Sequence, residues 1–342
     1  MKCPPKALGG VINVYKEAGW TSFDVVALVR RLFGSRRVGH CGTLDPFAEG
    51  VLPVFIGRAT SLVRYTGDYD KSYRVEVAFG QATKTQDGTG AVIGGRTPDV
   101  AEIRQFEAGN WAVLRSAVSA MTGRQLQVPP MYSAVKIGGQ PLYKYARRGE
   151  TIDRPAREIH VYRAELTAVR IVEGPAPIRA TVEVDCSKGT YIRTLCSDLG
   201  ERLGWGAHAA ALERTACGPF QTAGAWRVDQ LREWCAEVSD SLEPEASARL
   251  FSGRLCAAPI QAPEAAIQNF PVIKLATDQA RRLLQGQRLP VPASLSGCRP
   301  GDRCRAVGAA GFLGMAVIRS GPDGDPVLAA ERMLADIDDY IS

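Results

Sequence analysis

The run Gly39-His40-Cys41-Gly42-Thr43-Leu44-Asp45-Pro46 stands between two segments of regular pattern in this chain of 342 residues. Before it, Thr21 offers a capped start to a helix with one apolar face, and Gly34 ends that helix. After it, residues 51–56 form an apolar run of strand length. We therefore predict that Asp45 lies on a loop between a helix and a strand. Taken alone, an Asp-Pro pair in a Gly-rich loop is usually a turn former.

Further segments predict the rest of the fold. Strands are indicated at 10–15, 72–79, 159–171 and 178–186, and the last two form an antiparallel hairpin. Helical spacing covers 100–121, with a break at Gly109, and 190–203. Because strands and helices do not alternate as in a parallel sheet, the pattern favours an α+β fold: a mostly antiparallel mixed sheet flanked by helices.

The chain is longer than one hydrophobic core usually serves, which predicts two domains. The larger one spans 1–266, with a core at 10–220 and a helical connection at 221–266 that becomes rich in Ala and Pro. Residues 267–342 form the smaller one. Its stretch from 271 to 334 is Gly-rich with short strand-like runs, which favours a small β-barrel-like domain.

Composition excludes several classes of protein. Hydrophobic residues make up 45% and charged residues 23%, and no apolar run reaches the length of a membrane span. No signal-peptide pattern is present, so we expect a cytoplasmic protein with no membrane partner. The nine cysteines include no Cys-x-x-Cys pair, and there are three histidines. We expect the cysteines to be small apolar fillers rather than disulfides, and we predict no metal site.

The formal net charge is +6, which suits a polyanionic partner but also fits many enzymes that act on small anions. The cations form two clusters that could follow one phosphate backbone or could simply be solvated helix faces. The first comprises Arg30, Arg31, Arg36 and Arg37, and the second comprises Lys144, Arg147, Arg148, Arg154 and Arg157.

The opening run, continued by Ala48-Glu49-Gly50-Val51-Leu52, resembles the signature of the bacterial tRNA pseudouridine synthase B family. Other blocks resemble the family in the same order over about residues 10–220. They are Lys71-Ser72-Tyr73, Gln127 to Ala134, Leu142 to Gly149, Cys186 to Thr194, Gly206-Ala207-His208 and Leu212 to Thr215. One departure is Lys16-Glu17-Ala18-Gly19, where the family has Lys-Pro-x-Gly. The stretches at 301–302 and 312–316 resemble a PUA RNA-binding domain more loosely.

The resemblance implies the isomerisation of uridine 55 in the T loop of tRNA to pseudouridine. The glycosidic bond to N1 is broken, the base turns, and it is rejoined through C5, so nothing is oxidised and no cofactor is expected. A reversible nucleophile is needed, and a carboxylate suits this role because it is ionised at neutral pH. Asp45 is the expected nucleophile. Attack at C1′ of the sugar and attack at C6 of the base are both left open.

The resemblance also assigns roles to other residues. Arg193 would pair with Asp45, hold it ionised and orient it. Tyr73 would stack on the flipped base and accept the C5 proton. Tyr191 and Leu212 would line the uracil pocket, and His40 would assist access of the nucleotide. Without the resemblance each has a plain structural interpretation: Arg193 as an exposed helix cation, Tyr73 as a sheet aromatic and His40 as a loop histidine bonded to backbone.

The expected partner is therefore the T arm of tRNA, with no guide RNA, and we predict a monomer because no exposed heptad or repeated apolar face stands out. Two alternatives remain. One is an RNA-binding folding helper for tRNA without catalysis, which has no need of a carboxylate near phosphates. The other is a guide-RNA-dependent pseudouridine synthase of the archaeal and eukaryotic kind, disfavoured by the absence of long Lys-rich tails.

Overall fold

The structure is a computed structural model that describes residues 9–241, 259–292, 297–322 and 324–337. Within them, ten strands form one mixed sheet. They are β1 (Gly10–Lys16), β2 (Val38–His40), β3 (Glu49–Ile56), β4 (Lys71–Phe79), β7 (Gly123–Gln127), β10 (Arg157–Ile171), β11 (Ile178–Cys186), β12 (Ala207–Cys217), β13 (Phe220–Gln221) and β14 (Trp226–Arg227). Two small ribbons pair β5 (Ala82–Thr83) with β6 (Val92–Gly94) and β8 (Lys136–Ile137) with β9 (Gln140–Pro141).

The large sheet is mostly antiparallel, as the sequence predicts. Its main path runs β14-β1-β3-β12-β4-β11-β10-β7, with β2 beside β3 and β13 beside β12. The parallel contacts are β1 with β14 and β3 with β12. The predicted hairpin is confirmed, since β10 and β11 pair antiparallel along their length. The order places β3, β12 and β4 side by side.

Helices occur between the strands of this part of the chain. They are α1 (Ser22–Leu32), α2 (Val100–Ala108), α3 (Ala112–Ser119), α4 (Leu142–Arg147), α5 (Ile192–Arg202) and α6 (Val228–Ser241). Short 3₁₀ helices occur at Gly57–Tyr65, Thr222–Gly224 and Pro263–Ala266. The predicted cap of α1 is confirmed, because Thr21 and Asp24 form a capping box. None of the helices in the described ranges has the length and apolarity to cross a bilayer.

The C-terminal strands form a separate five-stranded sheet in the order β15-β17-β18-β19-β16. Its elements are β15 (Val272–Lys274), α7 (Thr277–Leu284), β16 (Leu289–Pro290), β17 (Arg303–Gly308), β18 (Gly311–Ser320) and β19 (Pro326–Met333). The half-barrel character of this sheet confirms the predicted β-barrel-like unit. Helix α7 was not predicted, since the sequence there was interpreted as strand-like.

Neighbouring residues of β3 enter two different cores, because side chains alternate across a strand. Leu52 and Val54 pack with the helices on one face of the large sheet. Val51 and Phe55 point to the other face and belong to a core shared with the C-terminal sheet. Ala266 and Ile267, which flank the predicted domain boundary, both lie in this second core. The small sheet is therefore packed against the large one.

The prediction that Asp45 lies between a helix and a strand needs correction. The three-residue strand β2 intervenes and pairs antiparallel with β3, so the loop that carries Asp45 joins two strands of a hairpin. A strand this short with Gly39 at its centre has no alternating pattern to reveal it. The cysteines agree with the filler interpretation: in the described residues they are free thiols, and Cys298 is half-buried while the others are buried.

Candidate active site

The loop of residues 41–48 is held in place by its backbone. Gly19 donates its N–H to the carbonyl of Pro46 at 2.8 Å, and the buried hydroxyl of Ser22 bonds both the N–H and the carbonyl of Leu44 at 2.9 and 3.2 Å. The entry turn that lacks the expected proline therefore still supports the loop. These contacts fix the backbone on both sides of Asp45.

Lys16 lies under the same loop with its side chain fully buried. Its ammonium donates to the carbonyls of Glu17, Trp20 and Pro46 at 3.0, 2.7 and 3.4 Å. Burial lowers the pKa of Lys16 to about 8, while the charge of Asp45 opposes this change. Lys16 is thus a cation placed close to Asp45 but bonded only to backbone.

Arg193 holds the carboxylate of Asp45 from the N-terminal turn of α5. Its Nε lies 2.8 Å from Oδ2 of Asp45, and its Nη2 lies 3.3 Å from Oδ1. Arg193 also donates to the carbonyls of Thr85 and Tyr132, both at 2.7 Å. The guanidinium is 3% exposed and the Asp45 side chain 37%, so the carboxylate faces the open side of the pair. The structure brings together the two residues that the sequence placed in one site.

Asp87 completes this network, and sequence reasoning missed it. Its Oδ2 lies 3.7 Å from Nη1 of Arg193, and its Oδ1 accepts hydrogen bonds from Thr85 and from both the N–H and hydroxyl of Thr89. Gln86 beside it has a left-handed φ of 62°. The sequence from Thr83 to Gly90 is only polar and rich in turn-forming residues, which does not show where the carboxylate of Asp87 points.

Opposing effects act on the pKa of Asp45. Burial raises it above the usual carboxyl range, and the nearby charge of Asp87 raises it further. Arg193 and Lys16 oppose these effects but do not cancel them. The expectation that Arg193 keeps Asp45 charged is therefore only part of the balance, since desolvation outweighs it.

A cavity of about 100 Å³ opens in front of Asp45. The residues lining it include Asp45, Tyr73, Tyr191, Arg193 and Leu212, all named from the sequence. Tyr73 extends from β4 and Leu212 from β12, which are neighbouring strands. One wall is thus formed by sheet side chains and the other by the start of α5, with the carboxylate between them.

Tyr191 owes its position to Gln127, a buried residue at the end of β7. The Gln127 side chain accepts the N–H of Tyr191 at 2.8 Å and donates to its carbonyl at 3.0 Å. These bonds satisfy backbone groups just before α5, where a helix leaves donors unpaired. Burial raises the pKa of the Tyr191 phenol, so this hydroxyl stays neutral near the cavity.

Comparison with known proteins agrees with this geometry. The family model "TruB family pseudouridylate synthase (N terminal domain)" matches residues 30–192, and "tRNA pseudouridylate synthase B C-terminal domain" matches 193–251. The chain belongs to the TruB family of pseudouridylate synthases. It is therefore an isomerase.

Relatives of this TruB chain match it over most of their length. The tRNA pseudouridine synthase B of Thermobifida fusca is 42% identical over 290 residues, covering 84% of this chain and 88% of the relative. That of Streptococcus gordonii is 42% identical over 238 residues, covering 69% and 79%. A chain in the crystal structure of a Cbf5-Nop10-Gar1 complex has a TM-score of 0.68 at 23% identity, covering 97% and 87%, and shares the fold.

His40 lies outside the cavity of the TruB chain, at its rim. Its Nε2 is 3.1 Å from the hydroxyl of Thr43, which does line the cavity, and its ring contacts Phe23 edge-on at 5.6 Å. Phe23 is 71% exposed. Burial and the charge of Arg214 lower the pKa of His40. A neutral histidine and an exposed aromatic therefore stand together near the opening, and the sequence had not singled out Phe23.

The TruB chain also has a basic cleft, defined here by Arg37, Arg64 and Arg332. It measures about 410 Å³ and lies where the 3₁₀ helix at 57–65 meets β19 of the C-terminal sheet. None of the three arginines forms a salt bridge within the described part of the chain. In the second predicted cluster, by contrast, Arg148 pairs with Glu150 at 2.7 Å. The first cluster thus contributes one residue to a surface completed by two arginines that the sequence did not reveal.

Proposed function

We propose that this chain converts uridine 55 in the T loop of tRNA to pseudouridine, with Asp45 as the nucleophile. The observation that carries the proposal is the carboxylate of Asp45, held by Arg193 at the floor of a cavity lined by Tyr73, Tyr191 and Leu212. A cavity this small takes a single planar base and excludes a base pair. The base must therefore leave its stack to reach Asp45.

The side chains match the steps of the isomerisation. The bidentate bond from Arg193 orients Asp45 for attack, and Lys16 adds a second positive charge beside it. Tyr73 presents a ring to stack on the base and a hydroxyl to accept the C5 proton. Because uridine and pseudouridine are isomers, no cofactor is required. Attack at C1′ and attack at C6 are both compatible with this arrangement.

The basic cleft supports RNA as the substrate. Its arginines lie outside the cavity, and among the described residues they have no carboxylate partners. Their positive charge is therefore available to bind the phosphates of an RNA backbone. We assign residues 1–266 to the catalytic domain and 267–342 to a PUA-like domain that helps to grip the T arm. We expect a cytoplasmic monomer that needs no guide RNA, and sedimentation of the purified chain checks the monomer.

Tritium release from a tRNA transcript that carries [5-³H]uridine tests the reaction. The isolated protein should release tritium without added guide RNA, and Asp45→Asn should abolish release while still binding tRNA. Mapping the product should place pseudouridine at position 55. Retained activity in Asp45→Asn, or no product with the unmodified protein, would contradict the proposal. A requirement for guide RNA would favour the guide-dependent alternative, and tRNA folding assistance retained by Asp45→Asn would reveal a separate helper activity.

A further inference from the structure

Arg214 is a buried cation on the strand next to the one that carries Tyr73. It lies on β12 and is 1% exposed. In the antiparallel pairing of β12 with β4, it stands directly opposite Tyr73. Residues in register on neighbouring strands share a face of the sheet, so the two side chains meet. A buried charge is costly unless its donors are satisfied, which raises the question of what Arg214 bonds.

The guanidinium of Arg214 connects the two parts of the site. Its Nε donates to the carbonyl of Val51 at 2.8 Å, and its Nη2 donates to the carbonyl of Gly42 at 2.7 Å. Arg214 also faces Tyr73, its register partner on β4, and its charge acts on the Tyr73 hydroxyl. Arg214 therefore links the loop that carries Asp45 to the tyrosine of the cavity.

The charge of Arg214 is left without a counterion nearby. Within the described residues no carboxylate lies within ion-pair distance of its guanidinium, and the acceptors it bonds are neutral. Burial raises the pKa of the Tyr73 phenol, and Arg214 is the largest influence that opposes this rise. The cation therefore favours negative charge on the phenol oxygen.

The other cations near the site, Arg193 and Lys16, do not act on the Tyr73 phenol as Arg214 does. Arg193 is bonded to Asp45 and to two carbonyls, and Lys16 is bonded to three carbonyls beneath the loop. Neither is among the influences on Tyr73. Of these three cations, Arg214 is the one that stands opposite Tyr73 on the neighbouring strand.

We propose that Arg214 is a positioning residue that aligns the Tyr73 hydroxyl with the Asp45 loop and lets the phenol oxygen accept the C5 proton. This inference rests on the proposed isomerisation. After the bond between C1′ and C5 has formed, the C5–H bond breaks and its electron pair restores the C5–C6 double bond of uracil. The Tyr73 phenol first gives its own proton to solvent, which the charge of Arg214 favours against the effect of burial. The C5 proton then passes to the phenol oxygen and restores the neutral phenol, while N1 is protonated from solvent.

The test compares Arg214→Met, Arg214→Lys and the unmodified protein in single-turnover formation of pseudouridine. Transcripts containing uridine or [5-²H]uridine give the isotope effect on C5–H cleavage. Arg115→Met is the matched control, because Arg115 also donates to two backbone carbonyls but lies on α3, away from the cavity. Thermal unfolding verifies that each variant is folded, and a double variant with Tyr73→Phe measures coupling.

We expect Arg214→Met to slow the reaction about a hundredfold and to enlarge the isotope effect, because proton removal becomes rate-limiting. Tyr73→Phe should then add little further loss. Arg214→Lys keeps the charge and should recover part of the rate with an intermediate isotope effect, and it decides the question if the Met variant does not fold. An unchanged isotope effect in these variants, with losses additive to Tyr73→Phe, would overturn the inference. Absence of product with the unmodified protein would instead overturn the proposed function.

Discussion

Asp87 and Arg193 form a buried pair in which Oδ2 of Asp87 lies 3.7 Å from Nη1 of Arg193, the nitrogen that Asp45 does not use. One guanidinium thus stands between two carboxylates. Asp87 is anchored by Thr85 and Thr89, so it cannot turn away. This arrangement makes the ionisation of Asp45 depend on a residue that does not line the cavity.

Asp87→Asn should move the acidic limb of the pH–activity profile to lower pH. The charge of Asp87 raises the pKa of Asp45, so its removal lowers that pKa and leaves Asp45 ionised in more acidic solution. We expect a displacement of up to about one pH unit. Single-turnover tritium release across the acidic range measures it, with Asp153→Asn, an exposed loop residue, as the control. A limb that stays in place would show that Asp45 does not sense Asp87.

The stability of Asp45→Asn relative to the unmodified protein should improve as pH rises through the carboxyl range. The folded state raises the pKa of Asp45, so it binds that proton more tightly than the unfolded chain. The contribution of Asp45 to stability is therefore full below the usual carboxyl range and is lost as pH rises above it. Asparagine also removes the ion pair with the buried Arg193, and this loss lowers the melting temperature of the variant at neutral pH. Melting temperatures of both proteins across this pH range measure the difference, and a difference that stays constant or widens as pH rises would contradict the expectation.

The sequence predicted the parts of the fold in which apolar residues recur with the period of a helix or a strand. The hairpin of β10 and β11 and helix α5 have apolar patterns that mark a buried face. The break between α2 and α3 was indicated by Gly109 instead, which ends α2. Strand β2 and helix α7 were missed. The first is too short for a pattern, and the second lies in a stretch whose Gly and Val content favours strands.

The candidate site was predicted in a different way. Asp45 and Arg193 are 148 positions apart, and only the resemblance to a family joined them in one site. Arg214 stood within one of the matched blocks but received no role, because a strand pattern does not reveal its partner on β4. Asp87, Arg64 and Arg332 became visible only when the chain folded. Long-range ion pairs and clefts between sheets leave no periodic trace in a sequence.

Gly50→Ala should disrupt the start of β3, directly after the loop that carries Asp45. Gly50 has a left-handed φ of 107°, and a Cβ there would lie 2.2 Å from the backbone carbonyl oxygen of Arg214. Neither backbone can move freely, since β3 and β12 pair at this position. We expect a loss of more than about 2 kcal/mol in the free energy of unfolding and a large loss of activity. Chemical denaturation measures it, and Gly94→Ala is the control because its Cβ would meet open space. Similar stability of the two variants would refute the steric argument.

Arg64→Ala and Arg332→Ala should weaken tRNA binding without slowing the chemical step. Both side chains line the basic cleft outside the cavity, so their loss removes contacts to phosphate while Asp45 and Arg193 keep their geometry. Each variant should lower the dependence of log affinity on log salt by about one unit if it loses one phosphate contact. Binding titrations at several salt concentrations measure the slope, and single-turnover rates at saturating enzyme measure the chemistry. Arg104→Ala, at an exposed position on α2, is the control. An unchanged salt dependence in both variants would show that the basic cleft does not contact RNA phosphates. A slower chemical step at saturating enzyme would show that the cleft also positions the base.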